Sequence, residues 1–236
     1  MICATVVTHP GLARTENQDC ALVPGFCSTG FLAEPVTLSC PGATSVFAVI
    51  DGMGGQRAGG EASRYVAFHL AGRPADEDVA TSLHDANRML YRQMERDPRL
   101  AGMGATIAGV RIAEHTATVF NVGDARVYQY DDGYLMLLTT DDRSSPSSHT
   151  VTQSLGGADR LTAISPHTAS IPAPRAGERL LICSDGLTEA VGFDDLREAL
   201  SRPDAGRSAG LLLDGALRGG APDNVTFILL EAQEAR

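Results

Sequence analysis

The stretch VFAVIDGMGG, residues 46–55, decides the fold. Its apolar run, starting at Ser45 and ending at Ile50, has strand length and stops abruptly at Asp51-Gly52. A run of this kind bounded by turn residues reads as a buried strand. The same pattern returns at RLLICSDGL, residues 179–187, where the strand Glu178–Ser184 meets Asp185-Gly186. Asp-Gly is by itself only a turn dipeptide, and Asp132-Gly133 between two β-rich segments reads as a plain hairpin turn. The other two pairs differ, because helical segments follow them where a hairpin would continue as a strand. A carboxylate at the end of a buried strand needs a partner, since an unpaired buried charge costs several kcal/mol.

Outward from these two strands, Ile2–Thr8 and Ala21–Val23 read as strands. The Gly/Pro-punctuated stretch Pro24–Pro41 reads as a hairpin with an irregular connection. Two helices are predicted, over Gly60–Leu70 and Asp76–Arg96. In the second, Val79, Leu83, Ala86, Leu90 and Met94 share one face, with acids at its start. Short strands follow over Thr106–Ile112, Thr116–Val122, Arg126–Tyr130 and Tyr134–Thr139, then a polar loop over Thr140–Thr150. Helices over Phe193–Ser201 and Gly206–Leu217 precede a closing strand, Val225–Leu230. Without a repeat or linker, this predicts one α+β domain over residues 1–236, its largely antiparallel core covered by helices.

The 236 residues are 43% hydrophobic and carry a formal net charge of −10. That composition fits a folded domain, and the negative balance speaks against nucleic acid or an anionic membrane as partner. No apolar run reaches the ~18 residues of a membrane span. The start, MICATVVTHPGLAR, lacks a charged segment before a long apolar core, so no signal peptide and a cytoplasmic setting are expected. All 19 basic residues are Arg. The absence of Lys excludes a P-loop lysine, a kinase strand lysine and Schiff-base chemistry. The five cysteines (Cys3, Cys20, Cys27, Cys40 and Cys183) form no CxxC, and their spacing suggests no zinc site. Cys183 reads as a small buried hydrophobe.

Further acids stand at segment ends: Asp19 closing RTENQD, Asp124 in NVGDAR and Asp223 in APDN. Oxygen ligands without Cys or His point to a hard ion such as Mg²⁺ or Mn²⁺. Glycine after an acid lets a ligand approach the backbone and leaves its carbonyl available. Arg14, five residues before Asp19, offers a guanidinium fork that matches two phosphate oxygens; the plain alternative is a surface ion pair.

The ordered set RTENQD, VFAVIDGMGG, GMGATI, NVGDAR, LLICSDGL and APDNVT resembles the metal-dependent serine/threonine protein phosphatases of the PP2C (PPM) family, in bacterial form. The motifs run from Arg14 to Thr226. The resemblance implies a four-layer α-β-β-α sandwich, two antiparallel sheets flanked by helices, with metals in a cleft at one end. It implies two Mg²⁺ or Mn²⁺ ions bridged by Asp51, with the Gly52 carbonyl as a further ligand. Asp185 and Asp223 would hold the first ion. Asp19 would act near the second through water, Arg14 would hold the substrate phosphate, and Asp124 would help bind a third, weaker ion. A water shared by two cations becomes a usable nucleophile, so no phospho-enzyme forms and Ser184 and Cys183 are structural. The implied substrate is a phosphorylated protein, opposite a serine/threonine kinase.

The chain departs from the family in two places. Met53 follows Asp51-Gly52, as in bacterial members, where eukaryotic ones carry His. In TTDDRSSPSSHTVTQSLGG, residues 139–157, Asp142-Arg143-Ser144 stands where the family has Asp-His-Ser, and the connection to the next motif is short. A short flap predicts an open cleft that accepts a bulky phosphoprotein. No histidine falls in a motif: His69 and His84 lie on predicted helices, His149 and His167 in loops, His9 and His115 near strand ends. Two other functions compete. A phosphoprotein-binding pseudophosphatase would usually lack ligand acids that are present here. A small-molecule phosphomonoester hydrolase is disfavoured by the 5% aromatic content and the lack of an evident base-stacking pocket.

Overall fold

The computed structural model describes residues 1–28, 30–40, 44–74, 76–145 and 150–233. In chain order its elements begin with β1 (Ile2–His9), β2 (Cys20–Val23), β3 (Phe26–Cys27), β4 (Val36–Cys40), β5 (Thr44–Met53), α1 (Gly55–Ala71) and α2 (Val79–Arg96). Next come β6 (Gly104–Ala113), β7 (Thr116–Val122), β8 (Arg126–Asp131), β9 (Tyr134–Leu137), β10 (Leu155–Gly156), β11 (His167–Pro172) and β12 (Arg179–Cys183). The chain closes through α3 (Asp185–Ala190), α4 (Phe193–Leu200), α5 (Ala205–Arg218) and β13 (Val225–Ala232).

One sheet has the order β4-β1-β13-β12-β8-β9 and the other β11-β7-β6-β5-β2-β3, with β10 beside β6. The named strands all pair antiparallel. The sheets pack face to face over Val6, Phe47, Val49, Val127, Ile182 and Ile228. Ala48, Ile50 and Ile107 turn to the opposite side, against α1 and α2. Val7, Leu181 and Phe227 meet the helices covering the other sheet. The result is the four-layer sandwich implied by the resemblance. It also explains why the central strands read as continuous apolar runs: each is covered on both faces. Phe47 is fully buried, and its truncation to Ala would cost about 3–5 kcal/mol.

Several boundaries differ from the sequence expectation. Helix α1 begins at Gly55, five residues ahead of Gly60, because packing on β5 overrides the poor helix propensity of a glycine-rich start. Helix α2 begins at Val79: Asp78 is its N-cap and accepts from the Thr81 N–H, so Asp76 and Glu77 precede the helix. β11 went unpredicted because HTASIP is largely exposed and carries no apolar run. His167 therefore starts an edge strand where a loop was expected. Within Pro24–Pro41, β4 leaves the expected hairpin and pairs with β1 in the other sheet. His149 lies outside the described residues.

Candidate active site

Alternation along the strands decides where the acids go. Phe47 and Val49 face the inter-sheet core, so Asp51 continues that face of β5. Ala21 and Val23 face the same core, which puts Asp19 there too. The register pairs Cys20 with Ile50 and Ala21 with Val49, setting Asp19 opposite Asp51. From the other sheet, Cys183 ends β12 beside Phe227 and Arg126. The turns past those ends carry Asp185, Asp223 and Asp124. At this end the core opens into a cleft of about 650 Å³ lined by Arg14, Asp51, Gly52, Asp124, Asp185 and Asp223. All but one of the site residues read from the sequence thus line one cleft. The exception, Asp19, is buried against Asp51.

Two glycines make this geometry possible, for a reason sequence reading had assigned to a ligand. A Cβ on Gly52 would lie 2.1 Å from the Gly59 carbonyl oxygen, and one on Gly186 would lie 2.0 Å from that of Asn224. The protein's own backbone fills the space, drawing α1 onto β5 and the Asp223 turn onto α3.

The electrostatics are those of anions crowded out of water. Burial pushes the Asp19 carboxyl up to about 6, although hydrogen bonds from Thr226 and Ser184 oppose the shift. Asp51 is raised well above the ordinary range by burial and then by the charge of Asp19. Asp185 rises to about 7 through burial and then the neighbouring Asp124 and Glu189. Asp124 is raised by burial and partly restored by Arg143. Asp19 Oδ2 accepts from the Ser184 hydroxyl at 2.9 Å, while Oδ1 is buried with no hydrogen-bond partner among the described residues. An orphaned carboxylate oxygen of this kind is what a cation or its water shell would satisfy.

Among the described residues, two arginines pair with the acids of the site. At the mouth, Arg14 Nη2 donates to Asp223 Oδ2 at 2.7 Å, with side chains 58% and 36% exposed. Beneath the floor of the cleft, which it does not itself line, Arg143 is 9% exposed and reaches Asp124 Oδ2 at 2.8 Å, Asp185 Oδ2 at 3.3 Å and Glu189 Oε1 at 3.6 Å. Among the described residues, no three acid, imidazole or thiol groups close on one point as a finished metal cage; Asp223, Asp124 and Asp185 lean on guanidinium groups. The all-oxygen donor set and the orphaned Asp19 oxygen fit hard divalent ions. None of the described histidines lines the cleft.

Sequence reading missed three participants. In the sequence Arg143 is only a departure from the family motif, and its place beside Asp124 and Asp185 needs the fold. Ser184, read as structural, holds Asp19 and accepts from the Thr226 N–H at 3.0 Å. Asn224 ties down the Arg14–Asp19 segment: its Nδ2 donates to the Pro10 and Glu16 carbonyls, and its Oδ1 accepts from the Gln18 N–H. The tripeptide Pro222-Asp223-Asn224 held that signal.

The chain is similar to known proteins in sequence and fold. PstP of Mycobacterium tuberculosis, a serine/threonine protein phosphatase, is 34% identical over 212 residues, covering 79% of this chain and 40% of PstP. The serine/threonine phosphatase stp of Listeria monocytogenes is 27% identical over 212 residues, covering 78% of this chain and 82% of stp. The catalytic domain of PstP, solved in complex with two manganese ions, superposes with a TM-score of 0.79 at 29% identity, over 99% of this chain and 100% of that one. PppA of Pseudomonas aeruginosa superposes with a TM-score of 0.80 at 25% identity, over 98% of each chain. This chain therefore spans 40% of the length of full PstP. The family described as Protein phosphatase 2C matches residues 38–207, a span that takes in the Asp51, Asp124 and Asp185 motifs, and the chain belongs to that family.

Proposed function

We propose that residues 1–236 act as one metal-dependent phosphatase domain that hydrolyses phosphoserine and phosphothreonine in proteins, in the cytoplasm and opposite a serine/threonine kinase. The observation that carries this reading is the convergence of Asp51, Asp185 and Asp223 with Arg14 in one cleft, with Asp19 buried against Asp51 and one of its oxygens without a hydrogen-bond partner among the described residues. Support also comes from PstP, whose catalytic domain holds two manganese ions.

In this reading Asp51 would help hold two Mn²⁺ or Mg²⁺ ions, with the Gly52 carbonyl as a further ligand and Asp185 and Asp223 contributing to the first. Asp19 would act near the second through water. When bound, the ions supply a nucleophilic water near neutral pH and offset charge on the phosphoryl group. The rest falls to the chain. Ser184 keeps Asp19 aimed at the site. Asp223, to serve as a ligand, gives up Arg14, and the freed guanidinium is then available to two phosphoryl oxygens at the mouth. Met53 has no proton to donate, so no side chain at that position protonates the leaving group.

The test is hydrolysis of p-nitrophenyl phosphate and a phosphothreonine peptide, with Mn²⁺ or with chelator, by wild type and Asp185→Ala. Metal-dependent turnover that Asp185→Ala abolishes is expected. A folded, Mn²⁺-loaded wild type that turns over neither substrate would replace this reading with a phosphoprotein-binding one. The short connection after Arg143 further predicts higher catalytic efficiency on a folded phosphoprotein than on a short phosphopeptide, and equal efficiency on the two counts against an open cleft.

A further inference from the structure

Three consecutive side chains fasten the segment after β9 to the turn that carries Asp124 and to the start of β8. Asp141 pairs with Arg126 at 2.6 Å. Asp142 Oδ2 accepts from the Gly123 N–H at 2.8 Å. Arg143 Nε donates to Asp124 Oδ2 at 2.8 Å. Asp142 is itself held from behind, by Gln153 Nε2 and His167 Nε2, each at 2.8 Å. Backbone bonds complete the clamp, from the Asp142 N–H to the Gly123 carbonyl and from the Thr152 N–H to the Asp142 carbonyl. Arg143 is therefore aimed by its neighbours, and its nearly buried guanidinium lies between Asp124 and Asp185.

We infer that the Arg143 guanidinium is a built-in cation occupying the position where the family resemblance implies a third metal ion, so that this protein takes two ions and no third. The inference rests on the dinuclear reading above. A divalent ion shared by Asp124 and Asp185 would need their oxygens at about 2.0–2.6 Å and room for waters. That space holds a planar group already bonded to one carboxylate and in contact with the other. An arriving ion would also meet a fixed positive charge in contact with both carboxylates. Arginine suits the task, since it stays charged at any working pH and its fork spans two carboxylates. It would hold Asp185 in place whatever the metal supply.

The test is the count of Mn²⁺ bound per folded chain, measured by equilibrium dialysis with metal analysis for wild type, Arg143→Lys, Arg143→Gln and the double variant Arg143→Gln/Asp124→Asn. Far-ultraviolet circular dichroism reports folding. About two ions are expected for wild type and Arg143→Lys, about one more for Arg143→Gln, and loss of that extra ion in the double variant. A third ion on wild type would overturn the inference even if the variants failed to fold. So would a count of two on folded Arg143→Gln. Wild type that binds no Mn²⁺ would overturn the dinuclear reading and this inference together, whereas two ions on both wild type and Arg143→Gln would overturn this inference alone.

Discussion

The mouth and the floor of the cleft each pair arginine with aspartate, and they do so under opposite conditions. At the mouth, Arg14 and Asp223 meet in partial contact with water. An exposed pair of this kind contributes about 0–1 kcal/mol and exchanges easily. Beneath the floor, Arg143 with Asp124 and Asp185 is nearly closed off, and removing one member of such a set strands buried charge. The mouth pair can thus part at little cost, and the buried set cannot. The chemical type of the pair is the same in both; burial makes the difference.

The largest expected effect tests Asp51, a carboxylate that belongs to neither pair. Asp51→Asn should reduce Mn²⁺-dependent turnover by about 10³-fold or more, measured with p-nitrophenyl phosphate. Residual activity within tenfold of wild type would remove Asp51 from the centre of the site. Next, Arg14→Gln should lower kcat/KM on a phosphothreonine peptide by about 10–100-fold. The same change should shift unfolding free energy by less than about 1 kcal/mol. The floor should show the reverse weighting. Arg143→Gln should destabilise the metal-free protein by about 3 kcal/mol in chemical denaturation. Equal stability losses at the two positions would erase the distinction drawn here.

The smallest effect concerns pH. Asp19 and Asp185 have native values of about 6 and 7, above the ordinary aspartate value of 3.8. Between those limits the native state holds protons that the unfolded chain has released. Stability of the metal-free protein therefore falls as pH rises from 5 through 7. The thermal midpoint should drop by roughly a few °C over that range, and Mn²⁺ should reverse the trend because it binds the deprotonated acids. A metal-free midpoint that climbs from pH 5.5 to 7.5 would contradict the crowding of these carboxylates.

Much of the candidate site is legible in the sequence alone, because its signals are local. VFAVIDGMGG and LLICSDGL announce buried strands that end in acids, and strand alternation then sends Asp51 to the inter-sheet face. The sandwich layers follow from apolar runs covered on both sides, and Val79–Met94 shows one helical face. What local patterns could not hold was anything fixed by partners distant in sequence. The edge strand β11 is exposed and exists only through its pairing with β7. The early start of α1 depends on Gly52 and Gly59 meeting backbone to backbone. Arg143 lies 19 residues from Asp124 and 42 from Asp185, and only the closed sandwich turns a polar loop residue into the cation beside these two acids. Propensity and periodicity act over a few neighbours, whereas burial and charge pairing are set by the whole fold. The tertiary structure alone therefore decided which arginine faces water and which is shut in with the acids.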